Sequence, residues 1–87
     1  MKMYDLYYKN DNAKFFELCE LIEKEFPEYH KYKLLHDVDG SLVQPYFMGD
    51  KQITIINGID WGYIFARANI DLTKFVSNLD TGFQKSE

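Results

Sequence analysis

Two aspartates, Asp37 and Asp39, stand between an apolar stretch and a glycine, and this spacing could support phosphoryl-transfer chemistry. The segment reads Leu-Leu-His-Asp-Val-Asp-Gly-Ser-Leu-Val over residues 34–43. A carboxylate at the end of a strand can attack phosphorus while a bound Mg²⁺ offsets the negative charge. The alternative is structural, because Asp-Gly is a preferred pair for the tight turn of a β-hairpin.

The same segment resembles the phosphoryl-transfer motif of the haloacid dehalogenase superfamily, an apolar strand followed by Asp-x-Asp-Gly-(Thr/Ser)-Leu. The resemblance implies a minimal phosphatase in which Asp37 is the nucleophile and Asp39 the acid–base group. Members of that superfamily have a parallel doubly wound sheet and further catalytic residues, including a second acidic pair. The chain after Val43 holds only isolated acids. We therefore predict a two-residue type I′ hairpin turn at Asp39 and Gly40, and no catalytic residue.

Metal, cofactor and thiol chemistry find little support in the sequence. His30 and His36 would lie about 20 Å apart on one strand, too far to share a metal ion with bonds of about 2 Å. Cys19 falls on the apolar stripe of a predicted helix, where a buried and unreactive thiol is expected. The chain contains no dinucleotide or phosphate-loop fingerprint, so neither a metal nor a cofactor is predicted.

A row of aromatic residues ending in an arginine could serve recognition. In a strand over 61–68, alternation puts Trp61, Tyr63, Phe65 and Arg67 on one face. Trp, Tyr and Arg dominate the energetics of protein interfaces. The other face carries small and aliphatic residues, against which a helix could pack closely. Two interpretations are open: the row is a partner-binding surface, or it is core beneath the first helix.

A second candidate contact surface lies on the polar side of the first predicted helix. Glu17 and Glu20 face solvent there, with Leu21 among the charges. A leucine framed by carboxylates could anchor a basic partner, although a single exposed leucine is common on protein surfaces. The two lysines among the aromatics of residues 29–33 could contact nucleic acid, but they are too few to make it an expected partner.

Hydrophobic periodicity and turn residues predict the elements that position these side chains. The fold class is α+β, with an N-terminal helix, an antiparallel β-meander of about four strands and a C-terminal helix. In chain order we predict a short strand over 3–8, a helix over 13–26, strands over 31–38, 42–48, 51–56 and 61–68, and a helix from Asp71 to Gly82. Turns at residues 39–40, 49–50 and at Asn57 and Gly58 separate the four strands of the meander.

Pro45 conflicts with this meander, because it stands inside the second of the four strands. Proline has no amide hydrogen and is tolerated in sheets at an edge or at a bulge. A β-bulge near Pro45 would also shift the register of the strands that follow. We therefore predict a bulge at this position.

The composition limits the class of protein. Eighty-seven residues make a single small globular domain over 1–87. A net charge of −4 gives little attraction to nucleic acid, and 17% aromatic residues exceed what one small core needs. Cys19 is the only cysteine, and no apolar run approaches the length of a membrane span. We expect a cytoplasmic protein with no membrane partner.

These observations favour a non-enzymatic protein-binding module, a small inhibitor or accessory protein. An acidic chain with surplus aromatics would suit the phage or mobile-element anti-defence type, which blocks a host protein such as a nucleic-acid-handling enzyme. The alternatives are a small-ligand or nucleotide-binding module that uses the aromatic row, and the minimal phosphatase; assembly into a homo-oligomer also stays open. The predicted partner-binding residues are Trp61, Tyr63, Phe65, Arg67, Glu17, Glu20 and Leu21.

Overall fold

The computed structural model describes residues 1–79 and shows a six-stranded antiparallel sheet with two helices. The sheet order is β1-β6-β5-β4-β2, and β3 also pairs with β4. The α+β class is confirmed, whereas the predicted number of strands was too low. The elements are β1 (Lys2–Tyr7), α1 (Asn12–Glu25), β2 (His30–Lys31), β3 (Leu35–His36), β4 (Leu42–Met48), β5 (Lys51–Gly58), β6 (Tyr63–Ala68) and α2 (Thr73–Ser77).

Helix α1 forms close to its predicted bounds. Asp11 is its N-cap: the backbone there is extended, and the side chain accepts a hydrogen bond from the Lys14 amide at 3.0 Å. The helix ends at Glu25, since Pro27 disfavours helical backbone in the residue before it. The apolar stripe is buried as its spacing predicts, through Phe15, Leu18, Cys19 and Ile22.

The small-residue face of β6 lies on the helix side of the sheet, where α1 packs over the neighbouring strand β5. Ile64, Ala66 and Ala68 are almost inaccessible to solvent and share one core with the α1 stripe. Short side chains let the helix approach the sheet closely. The structure excludes one interpretation of β6, that the aromatic row is core beneath α1, because the row must point to the opposite side of the sheet.

We call that opposite side the open face. Both helices of residues 1–79 contribute their buried residues to the core on the other side of the sheet. Strand register aligns Met3, Arg67, Thr54 and Pro45 in one row across the open face. The strand residues of the open face include Met3, Asp5, Val43, Pro45, Phe47, Gln52, Thr54, Ile56, Tyr63, Phe65 and Arg67.

The pairing of β4 with β5 runs without a register shift, so no bulge forms on that side of Pro45. On the other side the register changes by one residue between β2 and β3, so the irregularity lies in the neighbouring segment, where residues 32–34 stand opposite Gln44 and Pro45. The Pro45 carbonyl accepts the Tyr32 amide at 3.0 Å, in the gap between β2 and β3. A regular ladder would return a hydrogen bond from residue 45 to the Tyr32 carbonyl. The buried Gln44 side chain supplies it instead, because its Nε2 donates to that carbonyl at 2.6 Å. The side chain replaces the donor that proline lacks.

The predicted strand over 31–38 is wrong as a continuous element, because only β2 and β3 pair with β4 there. The predicted turn at Asn57 and Gly58 is also wrong. β5 continues through Gly58, and the chain reverses over residues 59–62, where the Gly62 amide donates to the Gly58 carbonyl at 2.8 Å. Asn57 is buried, although asparagine before glycine is a usual turn signal.

The second helix begins later than predicted. Asp71 lies two residues before α2, and its carboxylate accepts the Thr73 amide at 2.9 Å. Leu72 and Phe75 are buried, in agreement with the predicted apolar spacing. The predicted end at Gly82 lies outside the described residues. Neither helix within residues 1–79 has the length and apolarity needed to cross a membrane.

Candidate functional site

The aromatic row lies on the open face, and its members differ in exposure. Trp61 precedes β6 in the turn and is 62% exposed, whereas Phe65 is 3% exposed. Tyr63 is half-buried and Arg67 is exposed. The row is therefore a surface feature with one buried member, and α1 does not cover it.

Phe65 forms the floor of an aromatic cluster on this face. The ring centroids of Trp61 and Tyr63 lie 5.3 and 5.4 Å from that of Phe65. Tyr63 is hydrogen-bonded to Asp5, and partial burial together with this carboxylate raises the pKa of the Tyr63 phenol. Aromatic side chains held in this way lose little conformational entropy when a partner binds.

Two adjoining hollows occupy the open face. We call the first, of about 630 Å³, the apolar hollow. The second has a volume of about 540 Å³ and reaches Trp61. Val43, Ile56 and Arg67 border both, so the two are continuous. The apolar side chains that line the apolar hollow are those of Tyr32, Leu35, Val43, Pro45, Phe47 and Ile56.

The second hollow, which we call the acidic hollow, receives carboxylates from two loops. Asp37 and Asp39 come from the β3–β4 loop, and Asp60 from the β5–β6 turn. The Ser41 hydroxyl joins the loops by accepting the Ile59 amide at 2.9 Å. Hydrogen bonds from the Ser41 amide and hydroxyl hold the pKa of Asp39 below its usual value, so Asp39 is ionised at neutral pH.

Asp37 and Asp39 lie in a hairpin loop, as predicted, but the loop is longer than a two-residue turn. The Asp37 amide donates to the Ser41 carbonyl at 2.9 Å, and Gly40 alone has a positive φ, of 92°. The type I′ prediction was wrong because Asp39 does not adopt a positive φ. The motif leads into the antiparallel strand β4, whereas the phosphatase resemblance implies a parallel sheet.

The structure places Cys19 in the core, where burial raises the pKa of its thiol to about 11 and keeps it protonated at neutral pH. His30 and His36 are exposed. Within the described chain, no group of three or more His, Cys, Asp or Glu side chains is arranged to hold a metal ion.

The acidic surface of α1 lies on the far side of the sheet from the open face. Glu17 and Glu20 are exposed, and Glu17 forms an ion pair with Lys14 at 3.3 Å. Leu21 is half-buried and packs against the core, so it is not the free anchor that the sequence suggested. The structure does not bring these three residues together with the aromatic row, and they cannot share one flat contact with it.

Several residues that border the two hollows could not be identified as site residues from the sequence. Met3 and Tyr32 are 47% and 50% exposed, and both border the hollows. Asp60, next to Trp61, completes the acidic hollow. β4 and β5 have apolar residues on both faces, so only the pairing register shows which of them point to the open face.

Comparison of the chain with protein-family models, with curated proteins and with solved structures finds no match.

Replacing Gly58 with alanine is expected to displace the Trp61 ring with little loss of stability. A Cβ atom at position 58 would lie 2.9 Å from Trp61 Cδ1 and 3.3 Å from the Phe65 ring. Trp61 is exposed and can rotate away, so the free energy of unfolding in urea should fall by only about 1 kcal/mol. The emission of this single tryptophan should shift to longer wavelength. Unchanged emission with a large stability loss would mean that the backbone moves instead.

Proposed function

We propose that the protein is a non-enzymatic protein-binding module whose open face docks onto a partner protein. The observation that carries this proposal is the exposed Trp61 ring on an apolar floor, with both described helices on the other side of the sheet. Exposed apolar patches of this kind mark interaction sites on small proteins. Interfaces are further enriched in Trp, Tyr and Arg, the residue types of the row.

The open face also has the rigidity that a binding surface needs. Its floor belongs to β4, β5 and β6, which are paired continuously along their lengths. Arg67 forms no ion pair with any residue of 1–79, so its guanidinium is available to a partner. A preorganised face with an unpaired donor at its centre can bind with little reorganisation.

The partner class that fits best is a host protein that handles nucleic acid. The protein carries a net charge of −4, and three aspartates border the acidic hollow together with Trp61. Such a surface is complementary to the basic groove of an enzyme that binds DNA or RNA. In this proposal the protein acts in the cytoplasm as a small inhibitor or accessory protein, of the phage or mobile-element anti-defence type.

A small-ligand module is the second candidate, because each hollow has the volume of an ordinary ligand site. Nucleotides fit it poorly, since their phosphates would face Asp37, Asp39 and Asp60. An apolar or cationic small molecule would instead raise the melting temperature by mass action. That response, without protein capture, would favour this second candidate.

Site-specific photocrosslinking tests the docking proposal. Benzoylphenylalanine is introduced at Met3 on the open face and, as the matched control, at Phe16, a 46% exposed residue of α1. In lysate of the native host, the Met3 position should give a discrete adduct with one protein that duplex DNA or RNA displaces. The Phe16 position should give none. An adduct from Phe16 alone, or none from either position, would contradict docking through the open face.

A further inference from the structure

The two ends of the open face differ in their chemistry. Its acidic end carries Asp37, Asp39 and Asp60 around Trp61, and Arg67 is the only basic side chain among the residues of 1–79 that line it. The other end is the apolar hollow. A partner that fits both ends must offer a positive group next to apolar groups.

The acidic end suits an arginine or lysine side chain. A cation over an indole face is attracted by the ring, an interaction worth about 0.5–2 kcal/mol. Trp61 borders the same hollow as Asp60 and Asp39. Since Asp39 is kept ionised by Ser41, a seated cation would meet both a π face and a carboxylate.

The apolar hollow continues from the acidic hollow along β4 and β5. From Gly58, which borders the acidic hollow, to Thr54, which borders the apolar hollow, β5 rises about 13 Å. About four residues of extended chain cover that distance, and their alternate side chains point the same way. A basic residue at the acidic end therefore brings apolar residues at the second and fourth following positions over the hollow.

We infer that the open face receives an extended partner segment with a basic residue between Trp61 and Asp60 and alternate apolar residues in the apolar hollow. This inference rests on the proposed function and specifies the chemistry of the partner. Arg67, at the border of the two hollows, donates hydrogen bonds to a carbonyl oxygen of the bound segment. Charge complementarity at one end and apolar burial at the other fix the direction of the segment.

Three short peptides test this inference by nuclear magnetic resonance titration of the full-length protein. The probe is acetyl-Arg-Ser-Leu-Ser-Leu-amide; the controls replace its Arg with Glu or both Leu residues with Ser. The probe should shift the Trp61 indole and the Val43 and Ile56 methyl resonances. It should bind about tenfold more tightly than the Glu control. Equal binding of probe and Glu control, or no binding of the probe at millimolar concentration, would overturn the inference.

Two double variants with the same charge change separate the effect of the acidic hollow on peptide binding from the effect of the protein's overall charge. Asp39→Asn with Asp60→Asn should remove most of the preference for the Arg peptide, while asparagine keeps the acceptor that caps Ser41. Glu17→Gln with Glu20→Gln makes the same charge change on α1 and should leave the preference intact. Equal effects of the two double variants would contradict binding of the basic side chain in the acidic hollow.

Failure of the inference is distinguishable from failure of the docking proposal. If the peptides show no preference but Met3 still forms its adduct, the open face binds a partner of other chemistry. If the Met3 adduct is absent, the docking proposal itself fails. Concentration-dependent dimerisation with shifts at Trp61 would identify a second copy of the chain as the occupant, which also overturns the inference.

Discussion

Replacing Trp61 with alanine is expected to weaken binding of the crosslinked partner by about 2–4 kcal/mol, or about 30- to 1000-fold in Kd. The indole stands at the junction of the aromatic cluster and the acidic hollow, at 62% exposure. A partner would bury most of that surface, and central aromatic residues carry much of the energy of an interface. Isothermal titration calorimetry with the purified partner measures the change.

Phe16→Ala is the matched control for the Trp61 variant. Phe16 is also an exposed aromatic side chain that packs on a buried phenylalanine, Phe15, at a centroid distance of 5.2 Å. It lies on α1, away from the open face, so its removal should leave the affinity within about threefold. Both variants should remain folded by circular dichroism. A folded Trp61 variant with wild-type affinity would exclude the open face as the docking surface.

Replacing Asn57 with alanine is expected to lower the free energy of unfolding by about 2–3 kcal/mol. This side chain is 1% exposed. Its carbonyl accepts from Asn10 Nδ2 at 2.8 Å, and its amide donates to Asn12 Oδ1 at 2.9 Å. The substitution removes both hydrogen bonds, which join the start of α1 and the loop before it to β5, and leaves a cavity. Urea unfolding followed by circular dichroism measures the loss.

Asn69→Ala provides the comparison for Asn57. The Asn69 side chain also makes two hydrogen bonds, to the Gln52 amide at 2.8 Å and the Asp50 carbonyl at 2.7 Å, but it is exposed. Water can replace its partners, so a loss of about 0.5–1 kcal/mol is expected. Equal losses of stability at both positions would show that the buried hydrogen bonds of Asn57 contribute no more than the exposed ones of Asn69.

Replacing Asn57 with aspartate tests whether the side chain at position 57 donates a hydrogen bond to Asn12. A protonated carboxyl can still donate to Asn12, whereas a carboxylate cannot. Burial raises the folded-state pKa of such a group above its unfolded value of about 3.9. The folded state then binds more protons, so stability relative to the wild type should fall as pH rises from about 4 to 7. A stability difference independent of pH would contradict the assigned donor.

Helix α1 and the meander core were predictable because their signals are local. The spacing of Phe15, Leu18 and Ile22 specifies a helix stripe whatever lies opposite. The bounds of β4 were predicted correctly because both of its flanking turns contain glycine. The aromatic row was identified as well, since alternation along one strand needs no partner.

The local structure at Pro45 and at Asn57 could not be predicted from the sequence in the same way. Strand β4 stays regular at Pro45 because Gln44 reaches the Tyr32 carbonyl, and the one-residue irregularity falls instead in the break between β2 and β3. Asn57 reads as a turn residue, yet it lies inside β5 because Asn10 and Asn12 meet its side chain there. In both cases a hydrogen bond between residues far apart in the chain overrides the local preference.

The sequence by itself determined the α+β class, the stripe of α1, the members of the aromatic row and the absence of an internal disulfide, since each depends on composition or on spacing within one element. Only the tertiary structure decided which face of β6 α1 covers. It also brought Asp60 beside Asp37 and Asp39, and it separated Glu17 and Glu20 from the row. These outcomes depend on strand register and helix docking, in which residues far apart in the chain compete for the same buried surface.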